Sequence, residues 1–361
     1  MENKRELRNW LDAMELSHPL VIAGPCSAET EEQLLKIAHQ LKDTDTTVLR
    51  AGIWKPRTRP GNFEGVGTIG LKWLQRAKEE TGLLTTTEVA NANHVEEAMK
   101  HDIDILWIGA RTTVSPFIVQ EIADALKGTN KPVLVKNPIN PDLALWLGAV
   151  ERFYTAGIKN LGVIHRGFST YEKTRYRNNP EWQIPIDLQT RFPDLPLILD
   201  PSHIAGRRDI IFDLSQTALD LNYDGFMIET HFDPDNAWSD AKQQITPDRL
   251  AQITEDLKIR AEEGEALEYK NSIAQLRMKI EDIDTKLVNT FGKRMEVVDK
   301  IGLLKSENNV AILQSKRWQE IMNRMIQEGA SNNLSKEFIL KVFRAVHQES
   351  IDHQKQIERS E

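Results

Sequence analysis

The 361-residue chain has one cysteine, Cys26. A lone thiol builds no intrachain disulfide framework and suits a reducing cytoplasm, the expected location. Long apolar runs are also missing. Stretches such as Ile105-Leu106-Trp107-Ile108 fall far short of the roughly 18 residues a membrane span needs. The first sixteen residues, MENKRELRNWLDAMEL, carry charge throughout and lack the apolar core of a secretory signal. Basic charge is in deficit: 46 Lys+Arg against 54 Asp+Glu leave a net charge of −8, which argues against broad nucleic-acid binding. No GxGxxG follows the first apolar run, which disfavours a dinucleotide fold. Neither a nucleic-acid nor a membrane partner is expected.

Proline is absent from the last third. All 15 prolines lie at or before Pro247, and residues 266–361 hold only Gly292, Gly302 and Gly329. That tail carries 16 basic and 14 acidic residues, against 30 and 40 before it, so the acidity belongs to the punctuated part. Such a shift marks two domains of different architecture. The expected division is 1–260, a linker over 261–267 and a second domain over 268–361.

In the first part, short apolar runs recur between turn residues: Pro19–Ala23, Thr47–Ile53, Leu83–Val89, Ile103–Ile108, Pro132–Lys136, Leu161–Ile164, Pro196–Leu199 and Gly225–Ile228. Helix-length segments such as Glu32–Leu41 and Pro116–Lys127 separate most of them. Strand–helix alternation predicts a parallel sheet, and eight units in about 240 residues predict an α/β (β/α)₈ TIM barrel. Barrel enzymes place their chemistry where strands hand over to loops. Those positions hold Cys26, Arg50, Glu88, Arg111, Lys136, Arg166, His203 and Glu229. Four are cations, and converging cations predict an anionic, phosphorylated or carboxylated substrate.

Cys26, His203, Glu229 and Asp240 are metal candidates. A thiolate, an imidazole and two carboxylates on the first, seventh and eighth loops supply one mixed divalent site, for Mn²⁺, Fe²⁺, Zn²⁺ or a similar ion. The loop after the second strand contains Lys55-Pro-Arg57-Thr58, whose prolines present a rigid phosphate or sugar clamp.

Together, Gly24-Pro-Cys26-Ser, Lys55-Pro-Arg57-Thr58, Ile108-Gly-Ala-Arg111, Asp200-Pro-Ser-His203 and Glu229-Thr-His-x-x-Pro resemble the motifs of DAHP synthase over roughly residues 10–258. The resemblance is to the short type Iβ form, since no substantial domain precedes the barrel. Synthases of KDO 8-phosphate typically carry Lys-Ala-Asn-Arg-Ser where this chain has Lys-Pro-Arg-Thr. The resemblance implies that Cys26, His203, Glu229 and Asp240 ligate one divalent metal ion per barrel. It implies phosphoenolpyruvate on Arg111, Lys136 and Arg166 with Arg50 beside them, and erythrose 4-phosphate on Lys55, Arg57 and Thr58. Asn137-Pro138 stands where the family often has Arg-Gly. A Schiff-base aldolase using Lys136 or Lys55 is the alternative barrel chemistry, but it needs neither Cys26 nor His203.

The tail follows a heptad from Ile273. One line is Ile273, Ile280, Leu287, Arg294 and Ile301; the other is Leu276, Ile283, Thr290, Val297 and Leu304. This predicts one helix of roughly 35–40 residues, near 55 Å long, followed by helices near Ser315–Glu328 and Lys336–Gln356. Such a helix cannot bury its seam within so short a tail, so a partner chain is expected. Arg294 on that seam calls for an anion or a carboxylate partner.

Arg277, Arg294, Lys305, Arg317, Ser350 and Gln354 resemble, without gaps, the site of the all-helical chorismate mutases over residues 268–357. The resemblance implies an intertwined homodimer in which Arg277 crosses into the partner's site. It implies cations on the carboxylates of chorismate or prephenate, with Lys305 and Gln354 on the ether oxygen. Trp318 stands where a glutamate is usual, and Gln314 replaces an aspartate. The expectation is a bifunctional transferase and isomerase of the shikimate pathway whose tail also mediates allosteric feedback by prephenate or chorismate. The alternative is a tail that only senses or dimerises.

Overall fold

The computed structural model describes residues 7, 9–55, 61, 63–171, 174–261, 264 and 266–360. The chain divides into two compact units, Met1–Glu262 and Glu263–Glu361.

Eight parallel strands close the first unit in the order of the chain: β1 (Leu20–Gly24), β2 (Val48–Arg50), β3 (Leu84–Val89), β4 (Ile105–Ile108), β5 (Val133–Lys136), β6 (Leu161–His165), β7 (Leu197–Leu199) and β8 (Gly225–Glu229). β1 meets β8 in register from Leu20↔Gly225 to Gly24↔Glu229, which shuts the ring. Helices α1 (Asn9–Ala13), α2 (Glu31–Leu41), α3 (Ile69–Thr81), α4 (Ala92–Lys100), α5 (Ala110–Thr113) and α6 (Pro116–Ala125) lie in its first half. Helices α7 (Leu143–Thr155), α8 (Gln183–Arg191), α9 (Pro201–Ala205), α10 (Ile211–Asp220) and α11 (Pro247–Asp256) follow. The eight expected strands and the TIM barrel are present; several ends are trimmed by one to three residues, while β1, β6 and β8 run one residue further, to Gly24, His165 and Glu229.

Strand alternation sorts the side chains into two cores. Outward residues such as Val21, Leu49, Leu106, Val135 and Leu199 pack against the helices. Inward residues Ile22, Val48, Ile105, Trp107, Leu134, Ile164, Ile198 and Met227 fill the lumen. Each such burial contributes about 1.5–3 kcal/mol, so the lumen is a packed core and not a pore. Trp10 on α1 closes its lower end, 2% exposed, with Nε1 donating to Leu161 O at 3.0 Å. Helix starts are capped locally: Thr30, Asn91, Asp142, Asp200 and Thr246 each accept a backbone N–H through the side chain.

The second unit is α12 (Leu267–Glu307), α13 (Ser315–Ser331) and α14 (Lys336–Ser360). α12 runs 41 residues, near the expected length. Its packing face differs from the heptad. Met295 and Val298, one position beyond Arg294 and Val297, bury against Val342 and Val346 of α14. Leu276, Ile280, Ile283, Leu287, Val297, Ile301 and Leu304 stay 42–60% exposed. Among the described residues, most of the heptad seam is thus left open to solvent. Among the described residues, no helix is long and apolar enough to cross a membrane.

Candidate active sites

The loops after β1 and β8 are stitched together, and this assembles the first cluster. Cys26 N donates to Gln244 Oε1 at 2.9 Å, the Ser27 and Ser239 hydroxyls share a 2.6 Å bond, and Trp238 N donates to Glu29 Oε1 at 2.7 Å. Cys26, Glu229 and Asp240 thereby bring donor atoms within 4.8 Å of one another. His203 stands beside them, its Nε2 3.9 Å from Glu229 Oε1 and its Nδ1 2.8 Å from Asp200 Oδ2. Asp240 holds a left-handed φ of 46°, which a non-glycine residue rarely adopts and which favours a functional position. Gly24 is obligatory for close approach, since a Cβ there would lie 2.0 Å from Arg50 O.

Electrostatics support a cation-binding role for this set. Burial pushes the Cys26 thiol up to about 12, and Glu229 adds to the rise. Burial would also raise Glu229 and Asp240, but the surrounding basic side chains, His203 foremost, together outweigh it and hold both below the usual carboxylate range. Arg50 assists at Glu229, and Arg177 at Asp240. Glu229 Oε1 is buried and accepts no hydrogen bond from the described residues. A thiol, an imidazole and two carboxylates fit a divalent metal.

Next to this cluster opens a cleft of about 310 Å³. Its cations are Lys55, Arg111, Lys136, Arg166 and Arg177; Glu88, His203 and Asp240 also line it. Lys55 Nζ donates to Cys26 O at 2.9 Å and lies 3.0 Å from its sulfur. Burial works against the Lys55 charge, but Cys26 and Glu229 outweigh it and raise its pKa. Burial pushes Lys136 below the usual lysine range despite Asp200 at 2.7 Å. Breaking that buried pair from one side costs about 3–5 kcal/mol. Burial also lowers Arg166, to about 10. Arg50 is 1% exposed, with one contact to Glu229 at 3.2 Å, and its Nε and NH1 find no hydrogen-bond partner among the described residues. Arg57 and Thr58 lie outside the described residues.

The sequence assigned no role to Asp200, Arg177, Gln243 or Asn137. Asp200 holds both Lys136 and His203, although it stood inside the Asp-Pro-Ser-His motif. Arg177 donates to Asp240 at 3.0 Å and to Gln243 Oε1 at 2.6 Å, while Gln243 Nε2 donates to Glu229 at 2.7 Å. Asn137 latches two strand ends: it accepts from Arg166 N at 2.7 Å and donates to Gly167 O at 2.9 Å. No local pattern marks Arg177 or Gln243, whose partners are distant in sequence.

In the helical unit, Arg294 NH1 donates to Ser350 Oγ at 2.6 Å. Gln354 is buried; its Nε2 donates to Ser350 O at 3.3 Å and its Oε1 accepts from none of the described residues. Lys305 Nζ bonds Ile312 O at 2.5 Å. Trp318 stacks on His347, with centroids 3.9 Å apart and planes at 25°. Burial lowers both Arg294 and His347. Two other expected residues, Arg317 and Arg277, are exposed. Arg317 pairs with Glu320 at 3.1 Å, and exposed Arg277 precedes Arg294 by about 25 Å along the helix.

Residues 16–266 match the DAHP synthetase I family, and residues 276–355 match chorismate mutase type II. The chain belongs to the DAHP synthetase I family and carries a chorismate mutase domain at its C-terminal side. It is 32% identical over 238 residues to phospho-2-dehydro-3-deoxyheptonate aldolase of Thermotoga maritima, covering 66% of this chain and 68% of that protein. The crystal structure of the DAHP synthase from that organism superposes with a TM-score of 0.60 at 31% identity, covering 66% of this chain and 67% of the other. A 2-dehydro-3-deoxyphosphooctonate aldolase from Legionella pneumophila is 27% identical over 268 residues, 67% of this chain and 92% of that protein. The family and both domains make this a bifunctional enzyme of the shikimate pathway, a transferase joined to an isomerase.

Proposed function

We propose that the barrel condenses phosphoenolpyruvate with erythrose 4-phosphate to DAHP and inorganic phosphate. The observation that carries this reading is the cleft: five cations line about 310 Å³ beside a Cys/Glu/Asp cluster. Arg111, Lys136 and Arg166 hold the phosphate and carboxylate of phosphoenolpyruvate, and the unspent donors of Arg50 add to that field. Lys55, with Arg57 and Thr58, takes the sugar phosphate. Held face to face, carbon 3 of the enol bonds to the aldehyde carbon, water adds at carbon 2, and phosphate departs. Cys26, His203, Glu229 and Asp240 would hold one divalent ion, which supplies Lewis-acid polarisation when bound. Phosphate release from the two substrates together, and from neither alone, tests the assignment. Release with phosphoenolpyruvate alone would overturn it.

The helical unit rearranges chorismate to prephenate as a homodimer. Arg294, Lys305 and Gln354 surround the substrate, and no covalent step is needed. Two observations support the second copy. The exposed heptad stripe is a partner face without a partner. Arg277 lies too far along its own helix to reach Arg294, so only another chain brings an Arg277 to that site. Sedimentation analysis across a dilution series tests this; a monomer with full mutase turnover would refute it.

Prephenate or chorismate bound at Arg294 also slows condensation. Such an effect requires differential affinity for two states of the chain, typically about 1–3 kcal/mol. Inhibition by prephenate that vanishes in Arg294→Ala, with basal condensation intact, is the expected result. A second reading, a tail that chiefly senses, is favoured by the Trp318–His347 stack, which occupies the place of an acid that commonly holds the substrate hydroxyl. Tight prephenate binding with negligible mutase turnover would select it.

A further inference from the structure

Within the lumen core, Trp107 touches charge. Strand β4 reads Ile-Leu-Trp-Ile, and alternation sends Ile105 and Trp107 inward. The other strand residues of that core are aliphatic or Met227. Above the indole stand two cations, with Arg50 Cζ 5.1 Å and Lys136 Nζ 5.7 Å from the ring. Both lie within the range in which the negative face of an aromatic ring attracts a cation. Arg50 is 1% exposed and Lys136 5%, so water does little to stabilise either charge. Each also has one carboxylate, Glu229 for Arg50 and Asp200 for Lys136. The two cations repel one another, and Arg50 adds to the lowering of Lys136 by burial.

The rim of the ring does the opposite work. Register places Trp107 beside Glu88 on β3, and Nε1 donates to Glu88 Oε2 at 3.3 Å. Gly109 closes the other side of that carboxylate, since a Cβ there would lie 1.9 Å from Glu88 Oε1. One side chain therefore meets two buried cations with its face and a carboxylate with its edge. Lys136 and Glu88 both line the cleft.

We propose that Trp107 is a positioning residue of the barrel site: its indole is the polarised floor that sets Arg50 and Lys136 for an anionic substrate and fixes Glu88. This deepens the condensation reading and rests on it. An aliphatic residue in that place would fill the lumen equally well but leave both cations above hydrocarbon. Trp107→Phe keeps an aromatic face and loses the N–H; Trp107→Leu loses both.

The test uses the full-length enzyme, with calorimetric titration of phosphoenolpyruvate, kcat and KM for each substrate, and thermal melting. Trp107→Leu is expected to weaken phosphoenolpyruvate binding and raise its KM by about tenfold or more, with the KM for erythrose 4-phosphate within about twofold. Trp107→Phe is expected to recover most of that affinity while kcat stays reduced, because Glu88 has lost its donor. If Trp107→Leu does not fold, Trp107→Met supplies the non-aromatic comparison. A folded non-aromatic variant with unchanged phosphoenolpyruvate affinity overturns the proposal. So does an equal rise in both KM values that phenylalanine does not rescue, since that is the mark of general packing loss. A wild-type enzyme that binds phosphoenolpyruvate but releases no phosphate overturns the condensation reading instead, and leaves the binding comparison to judge Trp107.

Discussion

The barrel and the helical unit solve the same problem, holding an anionic substrate, from opposite directions. In the barrel, charged groups spread over 200 residues of sequence converge because every strand ends at the same rim. Its buried charges already have partners within the chain, Lys136 with Asp200 and Arg50 with Glu229, and at the more open edge Arg177 pairs with Asp240. In the helical unit, a 41-residue helix strings its residues out at about 1.5 Å each. Arg294 finds Ser350, but Arg277 stays remote and the apolar stripe stays exposed. A closed sheet brings distant residues to one rim by itself, whereas one long helix keeps its two ends apart.

That contrast can be broken at several points. The largest expected effect is at Cys26. Cys26→Ser, or chelation of the wild type, should cut condensation by about two orders of magnitude or more, with lower bound metal by elemental analysis and unchanged mutase turnover. Full condensation at trace metal would remove Cys26 from the ligand set. Next is Arg294→Ala, expected to lower mutase turnover by about a hundredfold while sedimentation still reports the dimer. Loss of the dimer instead would make Arg294 an assembly residue.

Leu287→Glu probes the exposed stripe. A carboxylate on an apolar seam should weaken association and lower mutase turnover by about tenfold at dilute protein, with condensation little changed. Turnover independent of protein concentration would mean the site is complete in one chain. The smallest effect concerns pH. Burial lowers Lys136, so its ammonium loses its proton at a lower pH than an ordinary lysine. kcat/KM for phosphoenolpyruvate should therefore fall on the alkaline side earlier than an exposed lysine would dictate. Asp200→Asn removes the charge that opposes this lowering and should move the limb lower still. A limb that does not move would separate Lys136 from the profile.

Sequence and structure agree best where the pattern is local. Proline and glycine punctuation marked all eight strands, and their ends located Arg50, Lys136, His203 and Glu229 at one rim. Asp200, Arg177 and Gln243 escaped because their roles depend on partners tens of residues away, brought close only by closure of the ring. Trp107 looked like one more apolar residue in a buried strand. The α12 heptad was legible as a helix, yet its packed face is offset by one residue, since α14 meets Met295 and Val298. A stripe of exposed apolar residues reads the same in sequence as a buried one.

The closure of β1 on β8 also bears on how the chain comes to be folded. Their ladder joins Leu20–Gly24 to Gly225–Glu229, and Trp10 bonds Leu161 across 151 positions. The β1–β8 ladder cannot form until β8 has left the ribosome, and contacts of such separation make folding slow. Until then the nascent chain carries an open sheet edge, which invites pairing with other chains. The helical unit emerges only after the ring has all its strands. Its contacts join α14 back to α12 and α13, a shorter span of chain than the ring closure bridges, so it can fold faster than the barrel. Gene order thus lets the slow part begin first, before the exposed apolar stripe of α12 is available to draw two unfinished barrels together.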